Sequence, residues 1–176
     1  MADALDGITL KRMKPVKLSE LIEALEFDSE ESVTRVDLVN GCVVRVDCSV
    51  LGALEEGDEE LLHDLPDWQN EEVKIAREIV KDSGERFVHT PEKFDFHEYR
   101  QMERFIGTVE TPEIAEQLWR AIKGKGAFRY FKDTASRLGL LESWYRYRDD
   151  AMKEFVMDWA KANQVPFEDD TRKPNG

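Results

Sequence analysis

A chain of 176 residues with a formal charge of −13 is long enough for one well-buried core, and a second full domain would be a squeeze. With 41% hydrophobic and 10% aromatic residues, four of them tryptophan, it is not a wholly disordered chain despite 36% charged residues. The acidic balance argues against non-specific attraction of the whole molecule to DNA or an anionic membrane and suits a basic protein partner, while two cysteines, Cys42 and Cys48, are too few and too close for a disulfide framework.

The opening MADALDGITLKRMKP lacks the apolar run of a signal peptide, and no stretch approaches the roughly 20 apolar residues of a membrane span. A reducing cytoplasm is therefore expected. Residues 1–16 read as a loose arm, residues 17–165 as a single α+β domain, and residues 166–176 as a flexible tail. Leu18, Leu21, Ile22 and Leu25 recur at helical spacing and predict a short helix ending near Phe27. The segment VTRVDLVNGCVVRVD predicts a hairpin. A two-residue Asn-Gly loop would mix apolar and charged residues on both faces. A three-residue loop with Gly41 in the left-handed position pairs Leu38 with Cys42, Val36 with Val44 and Thr34 with Val46, leaving one face almost wholly apolar. That register sets Arg35 beside Arg45, offset by Asp37 and Asp47 on the diagonals.

Residues 55–67, EEGDEELLHDLPD, read as an acidic, solvated loop. Asp67 is placed to cap a helix with Val73, Ala76, Ile79 and Val80 on one face. RFVHT, stopped by Pro91, predicts a third strand. In FDFHEY, Asp95 as N-cap, Glu98 three residues on and Phe94 flanking Tyr99 predict a capping box with a hydrophobic staple, and a helix from Phe96. Thr111-Pro112 opens a further helix through Ile114, Leu118, Ala121 and Ile122 to Gly124. The last helix, about Leu141 to Asn163, stacks Trp144, Tyr147, Ala151, Phe155 and Trp159. The expected fold class is α+β: a small antiparallel sheet, a hairpin plus a third strand, packed with a mostly helical C-terminal half.

Between Arg120 and Arg137 the sign of the charge inverts. Six cations (Arg120, Lys123, Lys125, Arg129, Lys132, Arg137) face one acid, Asp133, while the remainder carries 19 cations against 37 acids. Gly124 has the character of a helix C-cap and Gly126 that of an N-cap. A phosphate-cradling glycine loop should follow a strand, and here both flanks are helical. What remains is an anion site at the start of the helix after Gly126, flanked by Lys125 and Arg129. Phe128 and Phe131 are expected inward with Ala135 and Leu138, and Arg129, Lys132 and Tyr130 outward. The plainer alternative is a basic corner whose cations pair with neighbouring carboxylates.

GKGAFRYFKD (Gly124 to Asp133), LESWYRYR (Leu141 to Arg148) and EYRQMERF (Glu98 to Phe105) form three blocks. In them the chain resembles an uncharacterised bacterial family, number one-five-eight in the unknown-function series. The resemblance covers roughly residues 15–164; it implies a shared fold and carries over no catalytic residue.

Other chemistry is sparse. HEYRQ is not the His-Glu-x-x-His zinc pattern, since Gln101 stands four after His97. His89 and His97 with Glu98 or Glu103 form a conceivable metal or acid–base group that nothing in their spacing requires. Asp149 and Asp150 beside Arg146 and Arg148 read as a solvated helix face with pairs three or four apart. WYRYR has the content of a single-stranded nucleic-acid platform, but Trp144 and Tyr147 belong to the buried stripe. Cys42 on the apolar hairpin face reads as packing. No catalytic signature, cofactor or metal is implied. The leading expectation is a non-enzymatic cytoplasmic binding or regulatory module contacting protein through an acidic surface. The alternative is a nucleic-acid or phosphoanion-binding domain using Lys123, Lys125, Gly126, Arg129, Lys132, Arg146 and Arg148. A metal-assisted hydrolase around His97 comes third.

Overall fold

A computed structural model describes residues 13–63 and 65–171. In chain order its elements are β1 (Val16–Lys17), α1 (Leu18–Glu26), β2 (Ser32–Asp37), β3 (Cys42–Asp47), α2 (Cys48–Glu56) and α3 (Glu59–His63). There follow a 3-10 turn (Asp67–Gln69), α4 (Asn70–Lys81), β4 (Phe87–His89), α5 (Lys93–Phe96) and α6 (Glu98–Gly107). The chain closes with α7 (Pro112–Ala121), α8 (Ala127–Arg137), α9 (Leu141–Ala162) and β5 (Phe167–Glu168). The fold is α+β, with an antiparallel sheet in the order β3-β2-β4. Among the described residues two compact units form: one from the residues up to 93 together with those from 156 on, the other from residues 94–155. Among the described residues no helix is long and apolar enough to cross a membrane.

In the first unit α1 buries Leu18, Leu21, Ala24 and Leu25, the stripe that its spacing predicts. Its N-terminus is capped from far away. The Asp170 carboxylate accepts from Ser19 N (2.9 Å) and Ser19 Oγ (2.5 Å), and that bond holds the Asp170 pKa below the usual carboxylate range. Val16 is fully buried, its N–H donates to Pro166 O (3.0 Å), and β1 pairs in parallel with β5. The described ends of the expected loose arm and flexible tail are thus tied to each other. Residues 1–12 and 172–176 lie outside the described residues.

The hairpin forms, but its register differs from the expected one. Asp37 stands opposite Cys42, Val36 opposite Val43 and Val33 opposite Val46, so the turn spans Leu38 to Gly41. Asp37 starts that turn. Its Oδ1 accepts from Val39 N (3.0 Å) and Asn40 N (3.2 Å), and Gly41 N donates to Asp37 O (2.8 Å). Leu38 donates to Arg86 O (3.0 Å), toward β4, and is not opposite Cys42. Gly41 does take the left-handed conformation (φ 68°), and a Cβ there would meet Pro15 O at 2.6 Å. The expectation of one apolar face failed because both faces are covered. Val43 and Arg45 share a cleft with Glu20, Glu23 and Ala24 of α1, whereas Val46 packs with Val50 and Ala76. Arg35 and Arg45 consequently lie on opposite faces.

The stretch expected as an acidic loop, residues 55–67, is largely helical. Asp47 caps α2 by accepting from Ser49 N (2.8 Å), the helix ends at left-handed Gly57, and α3 follows. Leu62 and Leu65 pack against the Val46–Val50–Ala76 cluster, an apolar payload that the carboxylates hide in composition. Asp67 does not cap α4; it belongs to the 3-10 turn whose own N-cap is Pro66. Val80 is exposed, although Val73, Ala76 and Ile79 face the core as expected.

RFVHT does supply the third strand, antiparallel to β2. It brings Arg86 to Asp37 in a two-pronged pair, Nε to Oδ1 at 2.9 Å and an Nη to Oδ2 at 2.8 Å, with Glu78 on the remaining side (2.7 Å). The Asp37 side chain is 3% exposed. Burial alone would raise its pKa, but the Arg86 and Asn40 bonds outweigh it and leave the carboxyl below the usual range. Asp37→Asn should therefore lower the unfolding free energy by about 2–4 kcal/mol in urea titrations at pH 7. A depressed carboxyl contributes stability that is complete above about pH 4 and disappears as pH falls through its folded pKa. The gap between wild type and variant should accordingly close on acidification.

Candidate functional site

The second unit places the basic segment on an aromatic base. Phe131 is fully buried, its ring edge-to-face with Trp144 (4.9 Å between centroids) and Phe105 (6.1 Å), and Leu118, Ile122, Ala127 and Ala135 close around them. Pro112 at the first helical position starts α7, as its sequence predicts, and Ile122 ends it. Left-handed Gly126 (φ 78°) is the N-cap of α8. A Cβ on Gly126 would lie 3.0 Å from Tyr130 Cε2, so the glycine serves both the turn and the position of the Tyr130 ring.

Between α7 and α8 opens a groove of about 460 Å³. Gln117, Arg120, Ala121 and Lys123 line it from the α7 side, and Tyr130, Thr134 and Arg137 from α8. Three cations, two neutral hydrogen-bonding side chains and one phenol therefore surround a single open cleft. Arg120 also pairs with Glu116, one turn back on the exposed surface, an arrangement worth little in water. The unit formed by residues 94–155 carries eleven Lys/Arg and eleven Asp/Glu and is neutral; the rest of the chain, with 14 and 27, holds the whole −13.

The expected site residues divide. Lys123 lines the groove, and Arg120 and Arg137 line it too, although the sequence reading did not include those two in its binding set. Lys125, Gly126, Arg129 and Lys132 are exposed, with Arg129 3.8 Å from Asp133 one turn on. Arg146 stands on α9 beside Glu142 at 3.8 Å, both exposed. Arg148 is not a surface cation: its side chain is 15% exposed and its Nε donates to Glu98 Oε1 at 2.6 Å. That pair also removes the expected capping box. Glu98 is the first residue of α6, left-handed His97 (φ 51°) precedes it, and no side chain caps from there. Phe94 is exposed and does not staple to Tyr99, whose hydroxyl donates to Ile122 O (3.1 Å) at the end of α7. Phe128 is 46% exposed and not inward. Among the described residues no three His, Cys, Asp or Glu side chains gather in a metal-holding group.

The model of an uncharacterised protein family, UPF0158, matches residues 13–174. The chain belongs to that family. A UPF0158 protein of Pseudomonas aeruginosa is 31% identical over 65 residues, 36% of this chain and 42% of that protein's length. No solved structure matches. In this UPF0158 chain the three sequence blocks that carried the resemblance all lie in the second unit. Their apolar members, Phe105, Phe131 and Trp144, build its core, and one basic member, Arg148, ties α9 to Glu98 of α6.

What sequence inspection missed was the grouping. Tyr130, Thr134 and Arg137 are spaced four and three apart on α8, and Gln117, Arg120 and Ala121 three and one apart on α7. Each set occupies one helical face. Counting the cations found the segment, and testing which share a face would have found the groove. Arg148→Ala should cost about 1–3 kcal/mol of unfolding free energy, because Glu98 loses a charged hydrogen bond in a half-buried site. Arg129→Ala should stay within about 0.5 kcal/mol of wild type. Urea denaturation of the two variants checks the contrast.

Proposed function

We propose that this UPF0158 protein is a binding module that takes a phosphate-bearing ligand in the α7–α8 groove. One observation carries the reading: Arg120, Lys123 and Arg137 converge on one open cleft of a neutral unit within a chain whose net charge is −13. Guanidinium groups match phosphate oxygens two at a time, and an ammonium adds a point charge. Gln117 and Thr134 supply neutral donors beside them. Because the cleft is open, each contact is screened by salt, so affinity should fall steeply as ionic strength rises.

The test is calorimetric titration of the full chain with inorganic pyrophosphate at low and at physiological salt. Wild type should bind, more weakly at the higher salt. The double reversal Lys123→Glu/Arg137→Glu should reduce affinity at least about tenfold, with an unchanged far-ultraviolet spectrum, since both groups lie on the surface. Equal affinity of the two proteins would remove the groove from the account.

A second reading is favoured by a different observation. The first unit carries all the net negative charge, and Trp68, 77% exposed, sits between Asp67 and the Glu71–Glu72 pair. Aromatic faces and carboxylates together attract guanidinium groups, which fits a basic protein partner on that acidic surface. A labelled arginine-rich peptide should bind at low salt and lose affinity severalfold on Trp68→Ala. Indifference to that substitution would count against this surface.

A further inference from the structure

A bare phosphate needs the cations of the groove and has no use for Tyr130. Yet Tyr130 is 57% exposed at the groove wall, and its position depends on a glycine that leaves room for the ring. An aromatic ring that is half open to solvent, braced on one side and edged by cations, is the arrangement on which an unpaired base stacks. The cations also outrun the groove. Lys125, in the turn before α8, and Arg129 and Lys132, on α8 itself, lie outside its lining yet are exposed, and the helix is about 16 Å long at 1.5 Å per residue. A single phosphate cannot occupy that length; a chain of phosphates can.

Resting on the phosphate-binding reading above, we infer that the ligand is single-stranded nucleic acid, with a base stacked on Tyr130 and its backbone running from the groove onto the exposed cations of α8. Double-stranded nucleic acid does not fit this geometry, because its bases are already stacked and offer no free face to a lone tyrosine. Discrimination therefore comes from the aromatic ring, and affinity from the cations. The salt dependence should follow the number of phosphates neutralised.

The experiment uses the full chain and fluorescently labelled ten-residue oligouridylate, oligodeoxythymidylate and a DNA duplex of equal length, read by anisotropy at two salt concentrations. Inorganic pyrophosphate is titrated in parallel by calorimetry. Both single strands should bind more tightly than the duplex, and the comparison between them shows whether the sugar matters. Tyr130→Ala should weaken single-strand binding by roughly tenfold and leave pyrophosphate untouched, whereas Tyr130→Phe should retain both. Arg129→Glu/Lys132→Glu should weaken the ten-residue strand and spare pyrophosphate. Duplex binding equal to single-strand binding, or unaltered oligonucleotide affinity in Tyr130→Ala, overturns the inference. Pyrophosphate binding without oligonucleotide binding overturns it too, while leaving the phosphate reading standing. Absence of both removes the two together.

Discussion

The orientation of α8 about its own axis is the constraint on which the basic surface depends, and Phe131 sets it. With that ring locked edge-on between Phe105 and Trp144, and Ala135 one turn further in the core, the remaining residues of the helix have no choice of direction. Tyr130, Thr134 and Arg137 fall on the flank toward α7, while Arg129 and Lys132 turn to solvent. A rotation by one residue would bury a cation without a partner, which costs far more than the packing differences among apolar side chains. The aromatic core therefore does two jobs at once. It stabilises the unit, and it sorts the cations into those that share a groove and those that do not.

Much of this architecture was legible because it is local. Pro112 announces α7, the two glycines announce the corner, and the apolar spacing from Trp144 announces α9, although the buried face beyond Trp144 runs through Met152, Val156 and Ala160 and not through Ala151, Phe155 and Trp159. The failures have a common cause of the opposite kind. Asp37 opens the hairpin turn with local bonds but also holds Arg86, 49 positions away, and Glu98 pairs with Arg148, 50 away, in place of its expected capping box. In each case a charged partner that only the tertiary fold supplies takes up the carboxylate, and a paired charge in a partly dry site counts for more than an exposed one. The acidic helices α2 and α3 were missed for a related reason. Their carboxylates dominate the composition, but Leu62 and Leu65 decide where the backbone goes.

The site was legible to the same extent. A run of six cations and one acid is visible in the chain without any fold. Which cations share a face is a question of helix faces and of an adjoining helix, and it divides the seven expected residues into one groove residue, several solvent-exposed ones and one half-buried tie. Arg148 shows the limit of reading charge from sequence. A basic residue in an aromatic block looks like a ligand contact, and burial turns it into part of the scaffold.

The division of charge between the two units has a consequence for how any anionic ligand is met. At physiological ionic strength fields decay over about 8 Å, so the carboxylates of the acidic unit repel a polyanion at a distance only when salt is low, while contacts inside the groove act at a few ångströms. Long-range attraction of the kind that lets basic proteins slide on nucleic acid is thus absent from this chain. Under the proposed reading, an anionic ligand would have to be held at contact range, by groups fixed in direction. That requirement makes a rigid aromatic base beneath the basic helix more than a packing detail. On the phosphate-binding proposal, a chain without a favourable long-range field would gain selectivity only from short-range geometry, which Phe131, Gly126 and the helix faces they fix would provide.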